Sequence, residues 1–568
     1  APPPSGQTVS ATVHDYPTGN GPVNLVSNSI PLKPGALRDP RNIRLRDGAA
    51  EVPVATRVLA SWPQDNSIRA LLVQFDAPFA GATRTYEVDI GTPRTLPDPA
   101  LVPVTWRLPR RILTLPALYL SDSLIVWEQK PLGQTGFPAW DTKQLSNYDR
   151  AIGTVGTAPC SNDDNYYDAT GTSYQIYVRT GDLKYLVNAR LWGWHHGRDQ
   201  IYLSGPDIGR PRCPAGYMGN TRYTYPASLG VDYMMWGDDE SRRIAGLVVD
   251  NFDMLHADSN YYLAPGTRLP WWTEREAAFA LQSILGHYEA TGDPRYLARV
   301  TNRIGLLHRM QVDNSRRAWV HNLYDHDPGE GCLVTEWGSS PWMSGLLLEA
   351  IVKYHKLSGD PIAKESIEMA LDDLRANYLT TRAPYAGRSF RYLGCAAWLD
   401  GVPDVDNLIS HAFAYGYKIS NYTNTAYRQV AVDIFNTAVS NGFAGFHKHF
   451  NQQFRSSGHT VAYLAGQSGP DTTPPTVSLT APAPGATVSG TAVTVSATAT
   501  DNVGVLGVQF LLDGVNLGAE DTVAPYTISW NTTTATNGSH ILTARARDAA
   551  TNTATSAPVT VTVSNVTD

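Results

Sequence analysis

One short pattern, present four times, constrains this 568-residue chain most. Each copy is a glycine followed by an aspartate, with an apolar run of helical spacing before it and a second such run after it. Glycine can end a helix in the left-handed conformation and aspartate can cap the next helix, so each copy predicts a tight turn between two helices. The glycines are about 55 to 67 residues apart, a period that predicts an array of helical hairpins. The turns are Thr180-Gly181-Asp182, Trp236-Gly237-Asp238, Thr291-Gly292-Asp293-Pro294 and Ser358-Gly359-Asp360-Pro361, with a fainter fifth signal at 418–423.

The connections between these helices are unequal in length. The glycine-aspartate turns are short, whereas the return connections are long, and this alternation is typical of an α/α toroid. Long ordered loops in a compact domain usually carry function. They converge on the N-termini of the inner helices, whose partial positive charge suits an anionic substrate. We therefore expect the site on the face that holds the return connections, which are 197–222, 257–272, 310–341, 380–404 and 442–458.

The chain is too long for a single core and divides by composition. Residues 1–115 contain β-branched runs separated by turn residues and predict a β domain. Several prolines and glycines mark 116–150 as a transition, and 151–466 carry the helical pairs. A proline-containing linker at 467–475 precedes 476–568, where threonine and valine alternate as in β-strands.

Two stretches resemble known families. Residues 30–35 (Ile-Pro-Leu-Lys-Pro-Gly), 57–63 and 67–69 resemble the N-terminal barrel of exo-rhamnogalacturonan lyase-like proteins. This resemblance implies a secreted carbohydrate-active enzyme with the barrel beside an α/α toroid. Residues 501–504, 510–514 and 540–544 resemble bacterial Ig-like modules of secreted enzymes, which implies a non-catalytic spacer or weak adhesion module. The predicted fold is multidomain α+β: an N-terminal β-barrel or sandwich, a central (α/α)6-type toroid and a C-terminal Ig-like β-sandwich.

The composition of the chain limits the classes of molecule that it is expected to bind. The formal charge of −7 and the absence of a basic run argue against nucleic acid. No apolar run approaches the length of a membrane span. The 14 Trp and 29 Tyr suit sugar rings, although protein cores use them too. We expect a polysaccharide or oligosaccharide substrate and a monomer. We interpret the Ala-Pro-Pro-Pro-Ser start as a mature N-terminus after signal-peptide removal, and expect a secreted bacterial protein.

The four cysteines show no zinc-site spacing. They are Cys160, Cys213, Cys332 and Cys395. Two disulfides, Cys160–Cys213 and Cys332–Cys395, fit a secreted protein, and free buried thiols are the alternative.

The loop before the third inner helix contains Trp271 and Trp272, then Glu274 and Arg275. Paired tryptophans at a cleft rim would stack on pyranose faces, with Glu274 or Arg275 gripping hydroxyls or a carboxylate. Two core tryptophans and a helix-start glutamate are the equally weighted alternative.

The next loop contains His321 and Tyr324 as proton-transfer candidates, followed by Glu336, Trp337 and Trp342. No cofactor is predicted. Asp325, Asp327 and Glu330 are a candidate for a structural calcium ion, although their spacing misses the calcium-loop pattern and a solvated acidic turn explains them as well.

Two further stretches compete for the site. His195 and His196 end an outer helix and are followed by Arg222, Tyr223 and Tyr225. The last loop contains His447-Lys448-His449 and then Asn451 and Arg455, which fit substrate contact, structural polar packing or, least well, a metal pair.

Three functions remain open. The first is a uronate lyase acting by β-elimination, with Tyr223 or Tyr225 as acid or base, a partner among His195, His196 and His321, and Arg222 or Arg275 on the carboxylate. The second is an inverting glycoside hydrolase, which needs two carboxyl groups about 6.5–9.5 Å apart. The third is a non-catalytic glycan-binding protein. Carboxylates available for the second function are Glu274, Glu336, Asp163, Asp164, Asp404 and Asp406.

Overall fold

The computed structural model of the chain describes residues 6–152, 167–212, 225–255, 257–268, 272–325, 328–382, 387–445, 447–465, 474–500, 505–521, 525–548 and 552–565. The chain forms two compact units, Ala1–Ala465 and Gly466–Asp568. The first unit contains a sheet and an array of helices, and the second contains only strands and one short 3-10 helix among its described residues.

The N-terminal region forms one eight-stranded sheet in the order β4-β3-β7-β1-β8-β2-β6-β5. Neighbouring strands are antiparallel except β2 and β8, which pair in parallel. Within the described residues β4 and β5 are the edge strands and do not pair with each other. The region predicted as a barrel or sandwich is therefore a single sheet whose edges are not hydrogen-bonded to each other. The strands are β1 (Gln7–Asp15), β2 (Leu25–Pro31), β3 (Ile43–Asp47), β4 (Ala50–Val52), β5 (Ala55–Ser61), β6 (Ile68–Asp76), β7 (Thr83–Ile90) and β8 (Arg111–Thr114).

Helices follow from Ala117 onward, and the segment predicted as a transition contains the first two. Phe137, at the start of α2, packs edge-on against Phe435 of α13, so α2 belongs to the helical array. The helices are α1 (Ala117–Asp122), α2 (Pro138–Ala151), α3 (Ala169–Thr180), α4 (Leu183–Asp199), α5 (Pro226–Trp236), α6 (Asp239–Leu255), α7 (Glu274–Thr291), α8 (Pro294–Asp313), α9 (Pro341–Ser358), α10 (Pro361–Asn377), α11 (Pro403–Asp406), α12 (Ser410–Ile419), α13 (Thr425–Asn441), α14 (His447–Phe454) and α15 (Ser457–Leu464). Short strands lie in the loops: β9 (His321–Asn322), β10 (Trp337–Gly338), β11 (Leu379–Thr380) and β12 (Ser389–Phe390).

The array is toroid-like. Helices α3, α5, α7, α9, α12 and α15 are inner helices, because each carries residues that line one central cavity. Helices α4, α6, α8, α10 and α13 alternate with them along the chain and pack outside. Helix α7 shows why the sequence folds this way: almost every residue is buried, whereas α8 buries one face.

The predicted glycine-aspartate turns are confirmed. Gly181, Gly237, Gly292 and Gly359 end α3, α5, α7 and α9 with φ values of 69°, 71°, 68° and 68°. The following aspartate accepts a backbone N–H two residues on, which caps the outer helix, as Asp182 does for Lys184 at 2.9 Å. Each of these turns is two residues long, and the return connections are much longer, as the sequence predicts.

The sheet lies against this short-turn face. Arg57 in β5 donates from Nη2 to the Gly237 carbonyl at 2.7 Å and from Nη1 to Asp239 at 2.7 Å. A Cβ at Gly237 would meet the Leu72 side chain at 2.9 Å, so glycine also permits the close approach of β6. The sheet therefore closes one end of the helical array and leaves the long-loop end uncovered by it.

The second unit is a pair of packed sheets. One has the order β13-β15-β18 and the other β14-β21-β19-β16-β17, with β20 added beside β19. Their shared core includes Phe510, Trp530 and Val561. The strands are β13 (Thr476–Ala481), β14 (Thr487–Val488), β15 (Val493–Thr500), β16 (Val505–Leu512), β17 (Val515–Asn516), β18 (Tyr526–Trp530), β19 (Gly538–Asp548), β20 (Thr553–Thr555) and β21 (Val559–Val563).

The Cys332–Cys395 disulfide is present, as predicted, and joins residues 63 positions apart in sequence. Cys160 and Cys213 lie outside the described residues. Among the helices that the structure describes, none has the length and apolar character needed to cross a bilayer.

Candidate active site

A central cavity of about 90 Å³ runs along the axis of the helical array. All six inner helices contribute to its wall, and a loop ahead of α2 closes one end. The polar and charged lining residues are Asp168, Thr172, Gln175, Ser228, Gln282, Glu289, Glu349, Lys353, Lys356, His411, Arg455, His459 and Tyr463.

Helical periodicity places these groups in the wall. Glu349, Lys353 and Lys356 are four and three residues apart on α9, so they share one face of that helix. Arg455 and His459 repeat the spacing at the start of α15. Because the other faces of the inner helices are buried in apolar packing, the polar stripes point toward the axis.

Arg455 organises the end of the cavity nearer the long loops. It donates to both carboxylate oxygens of Glu349, from Nη2 at 2.9 Å and from Nε at 3.2 Å. Nη2 also donates to Gln282 Oε1 at 2.9 Å, and Ser456 donates to Glu349 at 2.7 Å. Within the described residues Arg455 Nη1 has no hydrogen-bond partner. The arginine is therefore held in place with one N–H group left over for a ligand.

The Glu349 carboxylate is ionised. Burial would raise its pKa, but Arg455 and His411 outweigh burial and bring the pKa to about 2. Its oxygens accept three hydrogen bonds from Arg455 and Ser456. Glu349 thus serves chiefly to fix Arg455.

Asp168 lies at the N-terminus of α3 in a strained backbone. Both Tyr167 and Asp168 have left-handed φ values, 62° and 73°, which are unusual for a non-glycine pair and cluster at functional sites. The Asp168 carboxylate accepts the Gly171 N–H at 2.9 Å and so caps the helix. Burial raises the pKa of Asp168 in spite of the opposing charge of Arg455. This carboxyl group therefore keeps its proton to higher pH than an ordinary aspartate.

His411 on α12 is the buried imidazole of the same wall. Its Nε2 lies 3.2 Å from the Gly345 carbonyl, which can only accept, so Nε2 carries the hydrogen. Burial lowers the pKa of His411 although Glu349 opposes this. The imidazole is therefore uncharged at neutral pH.

The other end of the cavity is closed by the sheet domain and the 125–127 loop. Arg69 of β6 donates from Nη1 to Glu289 Oε1 at 2.7 Å, and its guanidinium lies 4.4 Å from the Trp62 ring centre. Lys356 lies 4.1 Å from the ring centre of Trp127. The cavity floor is thus built from both the sheet and the helical array.

A second buried cluster lies at the start of α7 and contains three residues predicted from sequence, Trp272, Glu274 and His321. His321 Nδ1 is 3.6 Å from Glu274 Oε1, and the ring centres of His321 and Trp272 are 5.4 Å apart. Ser340 donates its backbone N–H to Glu274 at 3.2 Å and Ser344 its hydroxyl at 3.3 Å. Glu274 precedes Gln282 by eight residues, or roughly 12 Å of helix, so this cluster stands apart from the Arg455 group.

Glu274 gives the protein a distinct pH dependence of stability. Burial raises the pKa of Glu274 from 4.5 to about 8 in the folded state. The folded state therefore holds a proton that the unfolded state releases. The stabilisation from protonated Glu274 is complete below about pH 4.5 and is lost as the pH rises through 8.

Glu274→Gln removes this titration. The free energy of unfolding of the variant, measured relative to that of the parent, should therefore increase between pH 5 and pH 8. Parallel denaturant titrations measure the difference. The exposed control Glu368→Gln, which among the described residues has only Lys364 as a charged neighbour at 3.9 Å, should show no such gain, and an unchanged difference for Glu274→Gln across that pH range would contradict the assignment.

Other predicted residues act as supports around the loops. His196 accepts the Tyr225 N–H at Nε2 (3.1 Å) and faces Gln200 at 3.0 Å, while burial lowers its pKa to about 4. The Tyr225 hydroxyl accepts the Tyr167 N–H at 2.8 Å. His195 lies 2.8 Å from Asp199. None of these side chains lines the cavity in the described structure.

The remaining candidates are dispersed. Arg275 lies 5.3 Å from the ring centre of buried Trp342, and Asn451 is buried in α14. Glu336 accepts backbone N–H groups of Leu333 at 2.7 Å and Ala396 at 2.8 Å beside the disulfide. Tyr324 and Trp337 are half-buried in the loop that holds β9 and β10. Arg222, Tyr223 and Trp271 lie outside the described residues.

Asp325 and Glu330, the calcium candidates within the described residues, form no cluster of metal ligands there. Asp325 accepts from Arg268 Nε at 2.9 Å, and Asp327 lies outside the described residues. Cys332, Glu336 and Cys395 are close together, but both sulfurs are in the disulfide.

Of the residues predicted to contact substrate, Arg455 lies on the cavity wall. Sequence reasoning missed Asp168, Glu349 and His411. The available signal is a charged residue on a helix that is apolar on every other face, such as Glu349 in α9, since burying an unpaired charge is costly.

Comparisons with known proteins give one family match and several similar solved structures. Residues 475–544 match the family model of the bacterial Ig domain. No curated protein matches the sequence significantly. Among solved structures the chain is similar to a D-mannose isomerase (11% identity, 58% of this chain, 97% of that chain, TM-score 0.41). It is also similar to a polysaccharide lyase (12% identity, 58% of this chain, 99% of that chain, TM-score 0.41). A third similar structure is an inactive α-1,6-mannanase variant of Salegentibacter sp. HEL1_6 in complex with α-1,6-mannotetrose (13% identity, 59% of this chain, 99% of that chain, TM-score 0.38).

Proposed function

We propose that the central cavity is the active site of an extracellular carbohydrate-active enzyme that cleaves a uronate-containing glycan by β-elimination. The observation that carries the proposal is the grouping of Arg455, Asp168 and His411 on one cavity wall. Together they offer a fixed cation with an unused N–H group, a carboxyl group with a raised pKa and an uncharged imidazole.

These three groups meet the demands of the reaction. Arg455 donates its unused Nη1 hydrogen to the uronate carboxylate, and this hydrogen bond withdraws electron density and acidifies the neighbouring C5 hydrogen. The His411 imidazole accepts the C5 proton, the C4–O bond breaks as the C4–C5 double bond forms, and Asp168 gives its proton to the leaving oxygen. Burial supports both protonation states, because it disfavours charge on the imidazole and on the carboxyl group alike.

Inverting hydrolysis is the second candidate. Its support is the opposite pKa shifts of two carboxyl groups on one wall, raised for Asp168 and lowered for Glu349. A hydrolase also needs a carboxylate free to activate water, whereas Arg455 and Ser456 occupy Glu349. Elimination is therefore the better supported reaction.

The domain roles belong to the same proposal. The helical region predicted at 151–466, together with α1 and α2 from the 116–150 segment, forms the catalytic domain. Residues 1–115 form a supporting β domain, and 476–568 form an Ig-like spacer or adhesion module after the 467–475 linker. The match to the bacterial Ig domain supports the last assignment and suits an extracellular protein.

A substrate screen tests the reaction. The intact protein is incubated with pectic, alginate, glucuronan and neutral glycans, and both the ultraviolet absorbance of an unsaturated product and the formation of reducing ends are followed. We expect both signals on a uronate polymer. Reducing ends without the ultraviolet signal would replace elimination with hydrolysis, and glycan binding without either signal would support the non-catalytic alternative.

A further inference from the structure

The closed end of the cavity holds an unusual concentration of positive charge. Glu289 accepts from Arg69 at 2.7 Å and from Lys353 at 3.0 Å. Glu128, just behind the lining residue Trp127, pairs with Lys356 and, at 3.1 Å, with Lys418. Four cationic side chains therefore share two carboxylates.

These charges differ in their access to water. The side chains of Arg69, Glu289 and Lys356 are 1%, 4% and 10% exposed, whereas those of Lys353, Glu128 and Lys418 are 22%, 23% and 36% exposed. Water screens the three most buried charges least, so an excess of positive charge beside them raises the free energy of the site.

Other lining groups leave the excess in place. Glu289 and Glu128 are both fully ionised, with pKa values near 2, because their cationic partners outweigh burial. Burial lowers the pKa of His459 to about 4, so it is neutral at pH 7. Lys356 has a pKa of about 8 and is mostly charged at that pH. Arg455 and Glu349, at the other end, already neutralise each other.

Apolar side chains also line the cavity near these lysines. Ile125, Val126 and Val352 line the same end of the cavity. Such a surface suits the C–H faces of a sugar better than the full hydration shell of a small inorganic anion.

We propose that the closed end of the cavity is an anion subsite in which Lys353 and Lys356 bind the carboxylate of an acidic sugar residue. The inference rests on the proposed function for its ligand class and adds a recognition element distinct from Arg455. Arg69 has a supporting role, because it keeps Glu289 paired and the floor closed.

Calorimetric titration of the intact protein with glucuronate, glucose and inorganic phosphate tests the subsite without requiring turnover. We expect saturable binding of glucuronate and at least about tenfold weaker binding of glucose and phosphate. Lys353→Met and Lys356→Met should each weaken glucuronate binding by at least about tenfold. Both variants should fold, because Arg69 still pairs with Glu289 and Lys418 with Glu128. The exposed control Lys184→Met should bind as the parent does.

Three results would overturn the subsite: equal binding of glucuronate and glucose, preferential binding of phosphate, or no binding of any of the three. Unchanged glucuronate affinity in both lysine variants would overturn it as well. The proposed reaction is tested separately, because an Asp168→Asn protein should lose turnover and still bind glucuronate. Glucuronate binding with no cleavage of any uronate polymer by the parent would refute the reaction and leave the subsite standing.

Discussion

Asp168→Asn is expected to lower kcat by about 10²- to 10⁴-fold and to leave the thermal stability nearly unchanged. The substitution removes the proton that the leaving oxygen needs. Asparagine accepts a backbone N–H as well as aspartate does, so the cap on α3 at Gly171 is kept. Steady-state kinetics on the uronate polymer identified by the screen and a melting curve measure the two effects.

Asp182→Asn is the matched control for that variant. Asp182 also caps a helix, α4, by accepting a backbone N–H at 2.9 Å, but it lies in a short turn away from the cavity. It should retain the parent kcat. Equal activity of the Asp168→Asn protein and the parent would remove Asp168 from the reaction.

The pH dependence of activity tests the role of Asp168 a second time. In the parent, activity should fall at high pH as Asp168 loses its proton, at a pH above the ordinary range of an aspartate because burial raises its pKa. It should fall at low pH as His411 gains a proton, below the ordinary value of 6.5 because burial lowers its pKa. Residual activity of Asp168→Asn should lack the high-pH limb.

Arg455→Met is expected to destabilise the protein by about 3–5 kcal/mol at pH 7. It leaves the largely buried Glu349 carboxylate without its charged partner. Denaturant titration followed by helical circular dichroism measures this, because the helices belong to the first unit and the second contains only strands and one short 3-10 helix among its described residues.

The control is the double variant Arg455→Met/Glu349→Met, which should recover most of the lost stability because no unpaired charge remains. The parent's stabilisation by Glu349 is present above its unfolded pKa of 4.5 and is lost as the pH falls toward 2. The deficit of Arg455→Met should therefore shrink on acidification, when Glu349 becomes protonated in both proteins. A deficit that is as large in the double variant would assign the loss to packing.

The sequence allowed much of the fold to be predicted, because that information is local. A glycine that must adopt φ near 70° and an aspartate that caps the next helix are signals within four residues, and they correctly located four turns and the unequal loops between them. The disulfide Cys332–Cys395 and the Ig-like character of the C-terminal region were also within reach. The strand order of the N-terminal sheet, and the absence of a β4–β5 pairing among the described residues, were not, because they depend on pairing between strands far apart in sequence.

The site was predictable only in part, and for a related reason. Glu274 and His321 were singled out from loop position, and folding brings them within 3.6 Å, yet in a cluster separate from the cavity. Arg455 was proposed as a substrate contact without any indication that Glu349 would hold it. Asp168 and His411 were overlooked, since neither stands out from its neighbours along the chain.

Local chemistry thus sets the helices, their turns and the end of the array where long loops gather. The packing of the inner helices around one axis determines which ionisable residues face the cavity. Only when six helices drawn from residues 169–464 surround one axis do polar stripes on otherwise buried helices face a common cavity. Burial there raises the pKa of Asp168, lowers that of His411 and concentrates cations at the closed end, and these long-range electrostatic effects have no counterpart in the order of the residues.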